Sequence, residues 1–265
     1  MLIKCQEADR TSVLEYCMKE ANINIFIIGD IENYGFERDF QEVWMQKDQK
    51  NITGIVLRYY DNFIIYSEKL DMNLSEIMDL LIISEVSIIS GKQAVIELLY
   101  PLLEEKYSKR EMFFSELKDK TKLLLDTSGV LVAKLTETHE IATAYQQISE
   151  FKSIYSDNLE KLNQQIASRI QSGEGVHMLI RENGKIVCHG NTTAETRSSA
   201  IVGGIFTVPE FRSKGYASKL VSALCKDLLK RKKAVCLFYD NENSGRLFKR
   251  LGFESIEKWI ILGRR

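Results

Sequence analysis

The sequence predicts an α/β protein made of two related domains, each a mixed β-sheet with helices on both faces. In the second half of the 265 residues the order is strand–helix–helix–strand–strand–strand–helix–strand–helix–strand, which is typical of such a layered sheet. The first half repeats a weaker version of that order. A polar turn cluster at 126–129 separates two apolar runs, which predicts domains 1–125 and 126–265.

The elements of the first half follow from apolar periodicity and turn residues. Helices are predicted over 12–20, 25–36, 74–84 and 91–105, and strands over 42–45, 54–67, 86–89 and 111–117. Tyr60-Asp61-Asn62 interrupts the second of these strands with turn formers, which predicts a hairpin. The strand–Gly91–helix segment is expected to be a faded counterpart of the strand–Gly215–helix segment in the second half.

The second half carries sharper signals. Strands are predicted over 130–136, 176–181, 186–191, 200–208, 234–239 and 253–262, and helices over 137–150, 158–171, 214–230 and 244–251. Asn183-Gly184 predicts a tight hairpin between the second and third strands. Gly203 and Gly204, inside the strand 200–208, predict a bulge or the close approach of another backbone segment or a ligand.

Composition and charge limit the class of protein. The chain is 45% apolar and 28% charged with two prolines, which excludes collagen-like and Pro/Gly-rich disordered chains. The net charge of −1 combines 15 basic and 22 acidic residues over 1–125 with 21 and 15 over 126–265. This balance argues against a wholly basic nucleic-acid binder and suggests that the two halves have different partners.

Cysteine, histidine and apolar patterns predict a cytoplasmic chain with no metal and no membrane span. The five cysteines are dispersed without a C-x-x-C pair, which favours reduced, buried thiols. The histidines His139, His177 and His189 show no i, i+4 pair of the kind that binds zinc. The N-terminus has no signal-peptide core, and the apolar clusters are far shorter than the ~20 residues of a membrane span.

The segment between Ile201 and Phe253 carries the chemistry. A strand ends at Pro209, a short loop follows, and a helix starts directly after Gly215. Unpaired N–H groups and the helix dipole attract anions to a helix N-terminus, and glycine lets the backbone approach a ligand closely. The arrangement therefore suits a phosphate or pyrophosphate group.

Two motifs in this segment resemble those of the GNAT superfamily of acyl-CoA-dependent N-acetyltransferases. The first, R/Q-x-x-G-x-G/A after a V-x-P turn, is matched by Val208-Pro209 and then by 212–217. The second is an Asn, a small residue, an aromatic residue and Leu-Gly-Phe, and it is matched between Asn241 and Phe253. The resemblance covers roughly residues 130–265 and is to the two-domain bacterial members with a degenerate N-terminal half.

The resemblance implies tandem GNAT-like domains, of which the C-terminal one holds an intact acyl-CoA site. The strand end is expected to pair with the pantetheine arm as an added strand does, and the loop N–H groups are expected to cradle the pyrophosphate. The implied cofactor-binding residues are Phe206, Thr207, Val208, Arg212, Ser213, Lys214, Gly215, Tyr216, Ala217, Asn241 and Ser244.

The implied reaction moves an acetyl or short acyl group from acetyl-CoA, or another acyl-CoA, to a primary amine by direct attack. A backbone N–H at Val208 is expected to polarise the thioester carbonyl. The tyrosine that usually protonates the departing thiolate falls at Phe248, which has no hydroxyl. Tyr216, Tyr239 or water could supply that proton, and the alternative is a CoA-binding regulatory or scaffold protein with little catalysis.

The general base and the acceptor stay open. His177 and His189 lie on the hairpin expected to line the acceptor side, and either could act as a base. Glu210 and Asp240 are weaker candidates because acidic residues on loops are usually solvated. The acidic, aromatic stretch 30–40 is a candidate cover for an acceptor pocket.

The expected partner is a small-molecule or peptide amine, with the chain a monomer or a homodimer. The basic run 230–233 is expected to be a solvated helix end, with a contact to the nucleotide 3′-phosphate or to a partner as the alternative. Trp44 and Trp259 are expected to be core or interface anchors. A nucleic-acid module, whose affinity would fall steeply with salt, is disfavoured because basic and aromatic residues are not concentrated together.

Overall fold

The computed structural model describes residues 1–151 and 158–265, and the chain divides into two compact units. Unit 1 comprises Met1–Phe114 and Ser255–Arg265, and unit 2 comprises Ser115–Glu254. Each unit is a mixed α/β fold, as predicted. The predicted division after residue 125 differs from this one because the last strand of the chain pairs within unit 1.

Unit 1 contains a mixed sheet. Its strands are β1 (Leu2–Lys4), β2 (Gln41–Asp48), β3 (Asn51–Tyr59), β4 (Asn62–Tyr66), β5 (Ile88–Lys92) and most of β6 (Tyr107–Leu117) and β12 (Phe253–Arg264). Its helices are α1 (Arg10–Met18), α2 (Ile25–Tyr34), α3 (Leu74–Ile83) and α4 (Gln93–Leu99). Strands β1 to β4 are antiparallel neighbours. β5 runs parallel to β4, and β12 runs antiparallel to β5.

The sequence predicts most of these elements. The hairpin at 60–62 is present between β3 and β4. The helix expected from Gly91 begins at Gln93 instead, because Gly91 and Lys92 still belong to β5. Pro101, which cannot supply a helical N–H, lies in the 3-10 turn that follows α4. β1 is a three-residue strand, too short to show an alternation of apolar residues.

Unit 2 has the predicted order of elements up to its last helix. They are β7 (Val130–Val132), α5 (Thr138–Gln146), α6 (Leu159–Ser172), β8 (His177–Glu182), β9 (Lys185–Glu195), β10 (Ser199–Thr207), α7 (Tyr216–Lys230), β11 (Ala234–Tyr239) and α8 (Glu242–Arg250). Strands β7 to β10 are antiparallel neighbours, with the predicted hairpin between β8 and β9, and β11 is parallel to β10.

Helices cover both faces of the unit 2 sheet. On one face, Leu220, Val221 and Leu224 of α7 pack with Cys188 and Val202 of the sheet. They recur at three- and four-residue spacing, so one stripe of the helix is apolar.

On the other face, Ile141 and Tyr145 of α5 and Ile166 of α6 pack with Leu179 and Phe206. The two faces of β10 therefore pack against different helices. In the described part of the chain, no helix has both the length and the apolar character needed to cross a membrane.

Candidate functional site

The parallel strands β10 and β11 separate at their C-terminal ends. Four consecutive residue pairs join them, from Ser199–Ala234 to Val202–Leu237, although β10 continues to Thr207 and β11 to Tyr239. Just past the last pair, the register of β10 against β9 shifts between Gly203 and Phe206. Gly204 has a φ of 57°, a conformation that glycine adopts readily. The predicted bulge is present, and it coincides with the opening between the strands.

The loop that joins β10 to α7 presents backbone N–H groups. Ser213 has a φ of 64° and Gly215 one of 84°, and such turns align successive N–H groups into an anion-binding concavity. Gly215 is the N-cap of α7, and within the described residues no side chain caps this helix start. A Cβ built at Gly215 would meet nothing within 4 Å, so the space beside the helix start is open. These features suit a phosphate group.

The basic side chains of the loop contact neighbouring groups. Arg212 Nε donates to the Thr207 carbonyl oxygen at 3.1 Å, and its guanidinium pairs with Glu150 at 3.0 Å. Lys214 Nζ lies 5.0 Å from the centre of the Phe211 ring. Arg212 therefore ties the loop to the end of β10, while Lys214 leaves positive charge at the surface beside the helix start.

The N–H of Val208, predicted to polarise a thioester, is engaged within the sheet. It donates to the Val187 carbonyl oxygen of β9 at 2.9 Å. Successive residues of an antiparallel strand direct their N–H groups to opposite edges. The N–H of Thr207 is therefore directed away from β9, towards the edge on which β11 lies.

The aromatic candidates for a proton donor differ in their surroundings. Phe248 is 5% exposed, and its ring centre lies 5.8 Å from that of Tyr239. Tyr239 ends β11, beside the opening between the strands. Tyr216 donates to Glu182 at 2.5 Å, and this hydrogen bond raises the pKa of the tyrosine. Because Glu182 ends β8, on the side of β10 opposite to β11, the Tyr216 hydroxyl is turned away from the opening.

Asn241 and Ser244 form the start of α8. Asn241 Oδ1 accepts a hydrogen bond from the Ser244 N–H at 2.9 Å, and its Nδ2 donates to Asp240 at 3.2 Å. Asn241 therefore acts as the helix cap, and its position directly after β11 brings it to the same end of the sheet as Thr207. Glu210 and Asp240 are both exposed, as expected of solvated loop carboxylates.

His177 and His189 lie in one buried hydrogen-bond chain. His189 Nε2 is 3.1 Å from His177 Nδ1, and His189 Nδ1 is 3.1 Å from Tyr145 Oη. The tyrosine hydroxyl in turn donates to the Gly204 carbonyl oxygen at 2.9 Å. This series of hydrogen bonds therefore ends at the bulge of β10.

Both imidazoles are held in the neutral form. Burial and the charge of Arg169 lower the pKa of His177 to about 4. Burial and the neighbouring His177 lower the pKa of His189 to about 3. Tyr145 was not singled out by the sequence, because its spacing of four from Ile141 on α5 is that of an ordinary core residue. No sequence signal separates it from the rest of that apolar face.

The remaining sequence candidates have structural roles. Arg231 and Lys233, from the basic run, pair with Glu195 at 2.7 and 3.0 Å. Trp259 is buried against Phe114 in unit 1, and Trp44 packs within the same unit. Across the described residues, no three His, Cys, Asp or Glu side chains are grouped so as to hold a metal ion.

Unit 1 has a strand–helix–strand segment of the same order, but its helix start is closed. β4, α3 and the parallel β5 correspond in order to β10, α7 and β11. At α3, Asn73 Oδ1 accepts from the N–H groups of Ser75 and Glu76 at 3.0 and 3.4 Å. The prediction that Gly91 marks the counterpart of Gly215 is wrong, since Gly91 lies inside β5. The counterpart is the segment leading into α3, where a side chain occupies the N–H groups.

A mixed sheet whose central parallel strands separate beside an uncapped helix start defines the fold class of the acyl-CoA-dependent N-acetyltransferases. The chain belongs to the GNAT acetyltransferase family, whose family model matches residues 29–262. The match extends over parts of both units. A comparison of the sequence with curated proteins gave no match.

Solved structures share the fold over nearly the whole chain. A tandem GNAT protein from the clavulanic acid biosynthesis pathway is 10% identical, with a TM-score of 0.62 over 99% of this chain and 97% of that one. A GCN5-related N-acetyltransferase from Sphaerobacter thermophilus is 17% identical, with a TM-score of 0.61 over 99% and 94%. A Drosophila protein is 11% identical, with a TM-score of 0.70 over 100% and 98%. At these identities, the similarity concerns the fold.

Proposed function

We propose that the chain is an N-acyltransferase that moves an acetyl or other short acyl group from acyl-CoA to a primary amine. The observation that carries this function is the junction of β10 and α7. There the strands stop pairing after Val202–Leu237, beside a helix whose N-cap is the left-handed Gly215. A thioester arm fits between separated strands, and a pyrophosphate fits the open helix start.

The backbone provides the main contacts to acyl-CoA in this proposal. The N–H groups of the loop from Ser213 to Ala217 bind the pyrophosphate, since the Arg212 N–H donates to the Pro209 carbonyl oxygen at 3.1 Å, and the N–H of Thr207 is directed towards the acyl thioester. A donor at that position stabilises negative charge as it develops on the carbonyl oxygen. Asn241, at the end of β11, borders the same opening, and Ser244 lies beside it on α8.

The transfer itself needs no covalent enzyme intermediate. The neutral amine attacks the thioester carbon, a C–N bond forms and the C–S bond breaks, while the amine loses one proton and the thiolate gains one. Cys188 lies at the site, where it accepts a hydrogen bond from Thr207 Oγ1 at 3.4 Å. Burial raises the pKa of its thiol to about 12, so it is a poor nucleophile near pH 7. Direct attack in a ternary complex is therefore favoured.

Tyr239 is the residue we assign to thiolate protonation, with water as the alternative donor. It ends β11 beside Phe248, which replaces the tyrosine expected in relatives, whereas the Tyr216 hydroxyl is bound to Glu182. The absence of a hydroxyl at Phe248 also favours a second candidate function: a CoA-binding regulatory or scaffold protein with little turnover.

We place the protein in the cytoplasm, where the five unpaired, buried thiols of the chain stay reduced. The acceptor is a small-molecule or peptide amine.

The test has two parts on the full chain. Calorimetric titration with acetyl-CoA measures binding, and a thiol-reactive dye follows CoA release in the presence of a panel of primary amines. Binding with amine-dependent thiol release supports the transferase. Binding without release across a broad panel supports the regulator, and no binding of acetyl-CoA overturns both.

A further inference from the structure

A carboxylate without a partner lies on the partly buried face of α2 in unit 1. Asp30 is partly buried, and among the described residues no hydrogen-bond donor or cation is paired with its side chain. Burial alone raises the pKa of this carboxyl to about 7. A buried carboxylate without a partner destabilises the fold. Perturbed acids of this kind are concentrated at functional sites.

An aromatic cluster begins one helical turn along α2 from Asp30. Tyr34 lies one helical turn after Asp30, at the i, i+4 spacing that brings side chains onto one face. Its ring centre is 5.8 Å from that of Tyr59 on β3. Phe40 and Tyr60 complete the aromatic cluster, with ring centres 5.6 and 5.0 Å from that of Tyr59. Burial, the hydrogen bond with Tyr34 and the charge of Asp30 all raise the pKa of Tyr59. The Asp30 carboxylate is therefore close enough to oppose ionisation of the Tyr59 hydroxyl.

A buried amide oxygen at the same place also has no partner. Gln41 is 0% exposed and pairs with Tyr59 across β2 and β3, so the two side chains share a face. Its Nε2 donates to the Asp30 and Gly35 carbonyl oxygens at 3.2 and 2.6 Å. Its Oε1 has no hydrogen-bond donor in the described part of the chain.

The cations of the region are engaged elsewhere. Arg58 bonds to Glu42 at 2.7 Å and to the carbonyl oxygens of Asp39 and Tyr60 at 3.0 Å each. Arg38 donates to the Tyr34 carbonyl oxygen at 3.4 Å. The stretch 30–40 holds four carboxylates and one arginine. The net charge of this stretch is therefore negative, and among the described residues no cation is paired with the Asp30 side chain.

A carboxylate, an amide oxygen and aromatic faces are all electron-rich, and together they match one kind of ligand. We propose that Asp30, Gln41 and the aromatic cluster of Tyr34, Phe40, Tyr59 and Tyr60 form a binding site for an organic ammonium ion. Alkylammonium groups are attracted by carboxylates and by ring faces alike, and a primary ammonium can also donate to the amide oxygen. The site lies in unit 1 and does not depend on acyl transfer in unit 2.

The first experiment titrates the full chain with tetramethylammonium chloride, using calorimetry at constant ionic strength. This probe carries a permanent charge, so any pH dependence belongs to the protein. We expect saturable binding that is about tenfold weaker at pH 6 than at pH 8, as Asp30 becomes protonated. The ionisable side chains of α2, of the loop that follows it and of the adjoining strand positions are Glu32, Tyr34, Glu37, Arg38, Asp39, Glu42, Arg58, Tyr59 and Tyr60. Arg10 donates to the Ile31 carbonyl oxygen of the same helix, and the three histidines all lie in unit 2.

The Asp30→Asn variant distinguishes a carboxylate that binds a ligand from one that only stabilises the fold. It should weaken tetramethylammonium binding at pH 8 at least tenfold and raise the urea midpoint, because it removes a buried charge. Asp39→Asn makes the same charge change at an exposed position of the same stretch and should leave both unchanged. Tyr59→Leu, which keeps the acid and removes one ring, should weaken binding severalfold.

No saturable binding to the wild-type chain, or unchanged binding to Asp30→Asn, overturns the site. A lower urea midpoint for Asp30→Asn overturns it as well, because it shows a structural carboxyl. Butylammonium and a lysine-containing peptide with blocked termini distinguish the source of the cation. Tighter binding of the peptide indicates a lysine side chain, and tighter binding of butylammonium indicates a free amine.

Discussion

The hydroxyl of Tyr145 lies 2.9 Å from the carbonyl oxygen of Gly204 and donates a hydrogen bond to it. Gly204 is the left-handed residue of the β10 bulge, two positions before Phe206. The same hydroxyl is 3.1 Å from His189 Nδ1, so one side chain of α5 links the buried histidines to the bulge. We infer that this contact fixes the direction in which the end of β10 leaves the sheet.

Tyr145→Phe should therefore affect both stability and turnover. The change leaves the Gly204 carbonyl and His189 Nδ1 without their shared partner, which should cost about 1–3 kcal/mol of unfolding free energy. Because the bulge precedes Thr207, kcat for acyl transfer should fall more than KM for acetyl-CoA rises. Urea denaturation and steady-state thiol release measure the two effects.

Tyr107→Phe is the matched control for that variant. Tyr107 also donates from a buried ring to a carbonyl oxygen, that of Val86, at 2.9 Å, but it lies in unit 1. The Tyr107→Phe variant should lose a similar unfolding free energy and keep the wild-type kcat and KM. Equal kinetic losses in the two variants would show that Tyr145 matters only for folding.

Gly215→Glu should abolish the binding of CoA. The new side chain places a negative charge in the open space at the start of α7, where the pyrophosphate is proposed to bind. Gly184 has nearly the same backbone, with a φ of 81° against 84°, and a Cβ at either position meets nothing within 4 Å. Gly184→Glu therefore carries the same backbone strain of about 1 kcal/mol without touching the loop. Calorimetry should show CoA binding to the second variant alone, and unchanged binding to Gly215→Glu would refute the loop assignment.

The proton donor can be assigned by three hydroxyl changes. Tyr239→Phe should lower amine-dependent thiol release by about tenfold or more, in the range of general acid effects. Tyr216→Phe should change it less than twofold, because that hydroxyl is bound to Glu182. Phe248→Tyr should raise the rate by supplying a second hydroxyl at the opening. If all three variants release thiol at the wild-type rate, a solvent donor replaces Tyr239.

Stability should fall on acidification because of the two buried histidines. Their pKa values, about 4 for His177 and about 3 for His189, lie below the ordinary histidine value of 6.5. A depressed pKa means that the unfolded chain binds more protons, so this contribution is complete above pH 6.5 and is lost as the pH falls towards 4. Each group should cost about 2 kcal/mol between pH 6.5 and 5.

His189→Gln should flatten that dependence in urea denaturation measured between pH 7 and 5. His139→Gln, which alters an exposed histidine, should leave the slope of the wild-type chain unchanged. A wild-type slope in His189→Gln would mean that His189 does not contribute to the acid sensitivity.

Local signals in the sequence predict the elements of unit 2 closely. β11 has the predicted bounds, and the glycine pair in β10 marks the bulge, because both depend on residues close together in the chain. The pairing of β12 with β5 in unit 1 could not be predicted, since an apolar strand carries no record of its partner. Tyr145 was missed for a similar reason: its role comes from contacts with residues 44 and 59 positions later.

The direction of one backbone N–H group could not be predicted from the sequence either. The motif places Val208 and Thr207 side by side, and only the register against β9 shows which N–H faces the opening. Successive residues of an antiparallel strand direct their N–H groups to opposite edges. A sequence pattern can therefore indicate a cofactor segment and still leave its hydrogen-bonding atoms unassigned.

The pairing of β12 with β5 has a consequence for synthesis on the ribosome. Five residue pairs, from Trp259–Lys92 to Gly263–Ile88, join them, and the intervening 140 residues of unit 2, Ser115–Glu254, are translated in between. At about 5–20 residues per second, β5 waits several seconds or longer with one edge unpaired. Synthesis of unit 1 therefore begins before that of unit 2 and is completed after it. A nascent chain truncated before residue 255 would leave the edge of β5 open to aggregation.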